Sequence, residues 1–223
     1  MLQQYFAIQA ENPGVLLAMR VGDFYEFYGD DAVSAAEALE ITLTGREDGG
    51  NRIPMAGVPF HSVEKYLARL LQKGLKVAIC DQLEDPKAAK GLVKRGVTRV
   101  MTPGTVVEDS ILEAGRNNFL AALARVEGAK GEVKQGLAIL DSSTGEFWVT
   151  EISGEETQER LLQELSRIRA SELLIGPGNE AYAELARSSL GAAITDTKPL
   201  RLDSANKLLT DRLKVANLDG YGC

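Results

Sequence analysis

Cysteine and histidine are nearly absent: 223 residues carry two cysteines, Cys80 and Cys223, and one histidine, His61. The cysteines stand far apart, so no disulfide framework is available, and such usage fits a reducing cytoplasm. A zinc centre built on thiolate and imidazole lacks ligands. No apolar run approaches the roughly 20 residues of a membrane span, and the opening Met-Leu-Gln-Gln-Tyr has neither the basic nor the apolar region of a signal peptide. No glycine is followed by Lys-Ser or Lys-Thr, which excludes the G-x-x-x-x-G-K-[ST] phosphate loop. Internal repeats and low-complexity tracts are also missing. Aromatic residues make up only 6% of the chain.

Against that scarcity, one stretch stands out. Val21-Gly22-Asp23-Phe24-Tyr25-Glu26-Phe27-Tyr28 packs four aromatics into eight residues. It follows the apolar run Val15–Met19, which reads as a strand, and precedes an alanine-rich segment over 31–40, which reads as a helix. A glycine and an acid after a strand predict an exposed turn. At least one aromatic is therefore expected near the surface, where such residues serve as contacts; the alternative is that the cluster is core. The net charge of −7 is unevenly spread: residues 1–105 hold 12 basic and 13 acidic side chains, residues 106–223 hold 13 and 19. Between Pro86 and Val107 stand five bases (Lys87, Lys90, Lys94, Arg95, Arg99) and no acid. Such a strip either tracks phosphates or is a solvated surface.

The length suits one large domain or two of about 100 residues each. In the first half, periodicity predicts a helix over 2–10, a strand over 15–21, a strand over 41–44 and a loop or hairpin tip over 45–51. Ile53–Pro59 carries two prolines and is expected only at a sheet edge. The clearest helix spans 62–73, capped by Ser62 or His61. Val63, Tyr66, Leu67, Leu70 and Leu71 form its apolar face, and Gly74 is its stop. Lys65, Arg69, Lys73 and Lys76 run beside that face. Strands follow over 75–80 and 97–101. The polar stretch 108–118 is the expected boundary, with domains at 1–107 and 116–223 joined by a linker over 108–115. The second half reads as three successive strands (119–126, 135–140, 145–152), then helix 155–169, strand 172–175, helix 179–188, strand 192–195 and helix 203–214. Three antiparallel strands followed by alternating helices and strands describe a ribonuclease H-like sheet.

Taken in order, Gly22-Asp23-Phe24-Tyr25-Glu26, Ile41-Thr42-Leu43-Thr44, Pro54-Met55-Ala56-Gly57-Val58-Pro59-Phe60-His61, Val77-Ala78-Ile79-Cys80-Asp81-Gln82 and Thr102-Pro103-Gly104-Thr105 resemble the mismatch-recognition domain of the bacterial MutS family of DNA mismatch repair sensors. The second half resembles the connector domain of that family, most recognisably at Leu140-Asp141-Ser142-Ser143-Thr144-Gly145-Glu146-Phe147. The resemblance implies an α/β (α+β) fold, a mixed-sheet N-terminal domain followed by a ribonuclease H-like connector. It also implies that the chain is an N-terminal piece of a longer protein. In the family, the aromatic of a Phe-x-Glu pair enters the minor groove and stacks on a mispaired or unpaired base, and the glutamate hydrogen-bonds that base. The matching positions are Phe24 and Glu26. Val21, Asp23, Arg46, Pro54 and Met55 are the expected supporting contacts.

The pair also makes physical sense alone. A wedge must unstack the base step it enters and kinks the duplex, and a mismatch deforms most easily. Every base offers a stacking face to phenylalanine, while a carboxylate near phosphates weakens binding to intact duplex. The resemblance further implies mismatched double-stranded DNA as partner, MutL contacted through the connector, no membrane, a bacterial, nucleoid-associated cytoplasmic location, a monomeric fragment and a homodimeric parent. No cofactor is expected in this chain and it is not itself an enzyme; ATP and Mg²⁺ belong to a C-terminal domain of the parent. Two other classes stay open. One is a metal-dependent ribonuclease H-like nuclease using Asp141, with Glu146, Asp196 and Asp203 as further carboxylates; Asp141 before Ser-Ser-Thr-Gly reads better as a turn residue. The other is a pure partner-docking module in the acidic second half.

Overall fold

A computed structural model describes residues 1–222 apart from 85–90, 92, 113, 129–130 and 199. Lys87 and Lys90 of the basic strip, and Cys223, thus lie outside the described residues. The first half is built on β1 (Leu16–Val21), β2 (Phe24–Tyr28), β3 (Thr44–Asp48), β4 (Asn51–Pro59), β5 (Val77–Gln82) and β6 (Arg95–Met101). The apolar runs of β1 and β5 pair in parallel, Leu16 opposite Val77 through Met19 opposite Cys80. Strands apolar on both faces must be covered on both, and these two are interior neighbours in a mixed sheet of order β3-β4-β2-β1-β5-β6.

Helix α1 (Leu2–Ala10) covers part of one face, where Leu2 and Tyr5 pack with Leu17, Met19, Tyr28, Ala78 and Cys80. Burial pushes the Cys80 thiol up to about 11, so it acts as a small apolar side chain. Helices α2 (Asp30–Leu39) and α3 (Val63–Gln72) cover the other face through Ala32, Ala35, Leu39, Leu67, Leu70 and Leu71. Asp31, buried in the first turn of α2, ties three elements together. Its Oδ2 accepts from the Leu17 N–H at 2.9 Å and lies 2.9 Å from the Tyr5 hydroxyl.

The structure departs from sequence expectation in three places here. Residues 41–43 are not in a strand; pairing starts at Thr44, and 44–59 is a hairpin with Gly49-Gly50 at its tip. The segment Ile53–Pro59 is interior, between β3 and β2. It tolerates its prolines by position. Pro54 precedes the first residue paired with β2, and its carbonyl accepts from Gly29 N–H past the end of that strand, so the missing proline N–H faces the same gap. Pro59 is the last residue of the strand. Finally, α3 has no side-chain cap: Ser62 stands at the N-cap position, but its Oγ lies 3.5 Å from Pro59 O.

The second half has the predicted order. A meander of β7 (Phe119–Glu127), β8 (Val133–Asp141) and β9 (Glu146–Ser153) is followed by α4 (Thr157–Ile168), β10 (Glu172–Ile175), α5 (Glu180–Leu185), β11 (Ala193–Asp196) and α6 (Leu202–Leu213). The sheet runs β11-β10-β7-β8-β9, with β10 parallel to both β7 and β11. Leu161, Leu165 and Ile168 of α4, at helical spacing, close its core over Leu123, Leu137, Ile139 and Leu173.

The halves meet at a polar joint. Glu172, 1% exposed, accepts from Thr102 Oγ1, from Thr195 Oγ1 and, at 3.1 Å, from Gly104 N–H. Asn118 Nδ2 donates to Pro103 O at 2.9 Å, and Lys76 Nζ to Ile194 O at 3.2 Å. Lys76 therefore departs from the basic stripe of α3; Lys65, Arg69 and Lys73 stay exposed.

Candidate nucleic-acid interface

The aromatic stretch divides cleanly. A two-residue turn, Gly22-Asp23, joins β1 to β2, with Val21 paired to Phe24. Gly22 sits at φ +57, whereas Asp23 has no positive φ, the pattern of a hairpin turn with glycine first. Alternation along β2 then sends Tyr25 and Phe27 into the core under α2 and α3, and Phe24, Glu26 and Tyr28 to the opposite face. Three of the four aromatics are core. Phe24, at the strand end beyond the cover of α1, is 46% exposed.

The side chains around Phe24 and Glu26 come from neighbouring strands. Gly57 of β4 lies opposite Glu26. A Cβ there would stand 3.6 Å from Glu26 Cγ and 3.9 Å from Phe24 Cδ1, so the bare glycine leaves the two side chains unobstructed. Met55, opposite Tyr28, is half-buried on this face, as is Val21. Arg46 of β3 reaches across β4: its Nη1 donates to the Tyr28 hydroxyl at 3.0 Å and lies 3.9 Å from Glu26 Oε2. The Tyr28 hydroxyl donates to that same Oε2.

Not all sequence candidates share the face. Asp23 is exposed in the turn, where its carbonyl accepts from Phe60 N–H at 2.8 Å. Pro54 is half-buried on the opposite face, on the side of Ala56 and Val58, because strand alternation separates it from Met55. Two arginines of the basic strip have partners inside the protein. Arg95 donates to Arg20 O at 3.0 Å and Gln4 Oε1 at 3.3 Å, and Arg99 pairs with Glu108. His61 is exposed with its ring edge-on to Phe60. Tyr28 was not singled out from sequence as a functional residue; its place two and four residues after Glu26 and Phe24 was the available signal.

Glu146 stands opposite Asp141 across β8 and β9, but among the described residues no third carboxylate joins the pair. Asp141 is fully buried and holds its turn together: Oδ1 accepts from Ser143 N–H (2.9 Å), Ser143 Oγ (2.6 Å) and Thr144 N–H (3.3 Å), and Oδ2 from Asn118 N–H (3.2 Å). Burial raises its pKa, but these hydrogen bonds outweigh it and hold the carboxyl below the usual range. Asp141 lies beside Phe119 at the start of β7, whereas Asp196 aligns through Ile175 with Leu123, four residues or about 13 Å along the sheet. Among the described residues no group of three or more His, Cys, Asp or Glu side chains stands ready to hold a metal. Asp141 is therefore a structural residue. Asp141→Ala should lower unfolding free energy by about 2–3 kcal/mol, by stranding buried donors. The milder Asp141→Asn exposes the pH dependence. A depressed folded pKa contributes stability that is present above the unfolded value of about 4 and is lost as pH falls through the folded value. The gap between wild type and Asp141→Asn in urea midpoint should thus be full at neutral pH and shrink in acid; a gap that does not change with pH would contradict the assignment.

Residues 1–110 match the family described as MutS domain I, and residues 118–223 match MutS domain II. The chain is 46% identical over its full length to the DNA mismatch repair protein MutS of Syntrophomonas wolfei, covering 26% of that protein. It is 45% identical to that of Symbiobacterium thermophilum, again over its full length and 26% of the relative. Against that of Syntrophobacter fumaroxidans the figures are 47%, its full length and 25%. The chain spans about a quarter of the length of these curated relatives.

Proposed function

This chain belongs to the MutS family, of which it carries domains I and II, and on that footing we propose that it senses mismatched or unpaired bases in duplex DNA, with Phe24 as the minor-groove wedge and Glu26 as the partner of the displaced base. The observation that carries this is the exposure of Phe24 at 46%, on a strand whose other three aromatics are buried. An apolar ring left outside at a rigid hairpin end, with a carboxylate two residues along the same face, has the form of an intercalating probe. Val21, paired with Phe24, lies beside it as apolar surface for a groove wall, and Met55 continues that surface farther along the same face, opposite Tyr28. Asp23, exposed in the turn next to Phe24, stands as a supporting contact beside the wedge, whereas Pro54, on the other face, supports β4. The domains divide at 1–107 and 116–223, with 108–115 between them. In the whole protein we assign MutL contact to the second half, and ATP with Mg²⁺, homodimer formation and repair signalling to regions outside this chain. The chain itself is a DNA-binding monomer without catalysis, working in the bacterial cytoplasm at the nucleoid.

Fluorescence anisotropy at fixed low salt, comparing a duplex bearing one unpaired T or one G·T pair with its matched counterpart, tests the reading. Salt must be fixed because phosphate contacts dominate duplex affinity. The unpaired T should bind at least about fivefold more tightly, the low end of what one base–aromatic stack contributes. Equal binding of all three duplexes would overturn it.

A further inference from the structure

On the proposed DNA-contact face, we infer that Tyr28 and Arg46 are positioning residues for Glu26: a buried phenol and a cross-strand guanidinium hold the Glu26 carboxylate in one orientation before any base arrives. This rests on the reading of Glu26 as the partner of a displaced base, and it gives Arg46 a different task from phosphate contact.

The geometry carries it. The Tyr28 ring is 1% exposed and anchored edge-on against Tyr5, with ring centroids 5.0 Å apart. A ring so fixed has no freedom to swing, and its hydroxyl donates to Glu26 Oε2. Arg46 closes the set. Its Nη1 donates to the same hydroxyl at 3.0 Å and stands 3.9 Å from the same carboxylate oxygen. The hydroxyl therefore accepts from the guanidinium while donating to the carboxylate, a polarised chain in which each bond strengthens the next. Burial first, and then the bond to Glu26, push the Tyr28 phenol above the ordinary tyrosine range, while Arg46 pulls it down.

This arrangement does something a phenylalanine at position 28 would not. Packing with Tyr5, Leu17 and Met19 needs only the ring; apart from a 3.8 Å contact with Met1 Sδ, the hydroxyl serves the Glu26 carboxylate and the Arg46 guanidinium. Glu26 keeps 15% side-chain exposure, and among the described residues Oε1 receives no hydrogen bond. One oxygen is thus held by the protein and the other is left for an incoming donor. A free glutamate would lose rotamer freedom on meeting a base; one already held avoids that loss. Arg46 also keeps the carboxylate paired, which lessens its repulsion from passing phosphates.

Tyr28→Phe, Arg46→Gln and, as reference, Glu26→Ala separate the possibilities. Two quantities are read on the full chain: Glu26 side-chain rotamer populations from NMR scalar couplings, without DNA, and the ratio of affinities for unpaired-T and matched duplex. Tyr28→Phe should turn one dominant Glu26 rotamer into an averaged mixture, leave the amide spectrum of Leu17 and Met19 in place, and lower the affinity ratio about fivefold. Arg46→Gln should do the same more weakly. If Glu26→Ala lowers the ratio but Tyr28→Phe changes neither rotamers nor ratio, or changes only one of them, the inference is overturned while the site reading stands. If Glu26→Ala itself leaves the ratio unchanged, the site reading falls, and the inference with it.

Discussion

Phe24→Ala is expected to abolish the preference for unpaired-T over matched duplex, lowering affinity for the former by about 5- to 150-fold, the range of one base–aromatic stack. Matched-duplex affinity should move by less than about twofold, since phosphate contacts dominate it. The fold should not notice the change. Phe24 is absent from all the buried clusters of the first half, and its register opposite Val21 and Pro59 is set by the backbone. An unchanged urea midpoint beside a lost preference is therefore the expected pattern. A lost preference accompanied by a large drop in midpoint would instead mark Phe24 as core, and a retained preference would move the wedge elsewhere.

The second large effect is expected at the joint between the halves. Glu172→Ala strands the hydroxyls of Thr102 and Thr195 and the N–H of Gly104 where water does not easily replace the carboxylate. Each unsatisfied buried donor costs about 1–3 kcal/mol. Since threonine hydroxyls can rotate toward other acceptors, a total of about 3–4 kcal/mol is the reasonable sum. With a slope of about 1–3 kcal/mol/M, that is a fall of more than ~1 M in urea midpoint. Glu172→Gln, which keeps the shape and one carbonyl, should lose about half as much. Gly104 offers an independent check from the other side. A Cβ there would lie 2.8 Å from Glu172 Cβ and 3.1 Å from Leu120 Cα, so Gly104→Ala must push the turn off the second sheet. Both variants should raise the rate of proteolysis within 108–118. Wild-type midpoints and proteolysis in both would show that the halves do not depend on this contact.

Much of the fold was legible because local pattern and tertiary role agreed. In α3, Leu67, Leu70 and Leu71 recur at helical spacing, and those residues enter the core. In the second half, turn residues at Asp141–Thr144 and glycines at 176 and 178 mark the limits of strands whose order follows. The misreadings arose where position in the sheet decided. Pro54 and Pro59 argued against an interior strand, but one sits beside the end of β2 and the other ends its own strand, and neither fact is local. Thr42 and Thr44 alternate with Ile41 and Leu43 like a strand, yet Ile41 packs against the core as the chain leaves α2, and pairing waits for Thr44. At the centre of the candidate site, Phe24 and Glu26 were marked by the resemblance to the family; the residues alone pointed only to an exposed aromatic in this stretch, and Phe24 is that aromatic. The partners of that centre were less legible: nothing in the sequence brings Arg46 across β4 to Tyr28. Glu172 had no signal at all. At the head of an apolar strand it looks like a solvated acid, and the turn that buries it stands about 70 residues earlier.

The parallel pairing of β1 with β5 also sets an order of events during synthesis. The β1–β2 hairpin can close as soon as it leaves the ribosome, in about 1–10 μs. The other edge of β1 waits for Val77, some 50 residues later, which at ~5–20 residues per second is several seconds. Throughout that interval Leu16–Met19 presents an apolar, unpaired edge to its surroundings. A nascent chain stalled before residue 77 should therefore be the form of this protein most prone to self-association and most in need of a chaperone, whereas one released past Met101 has every strand of its first sheet in hand.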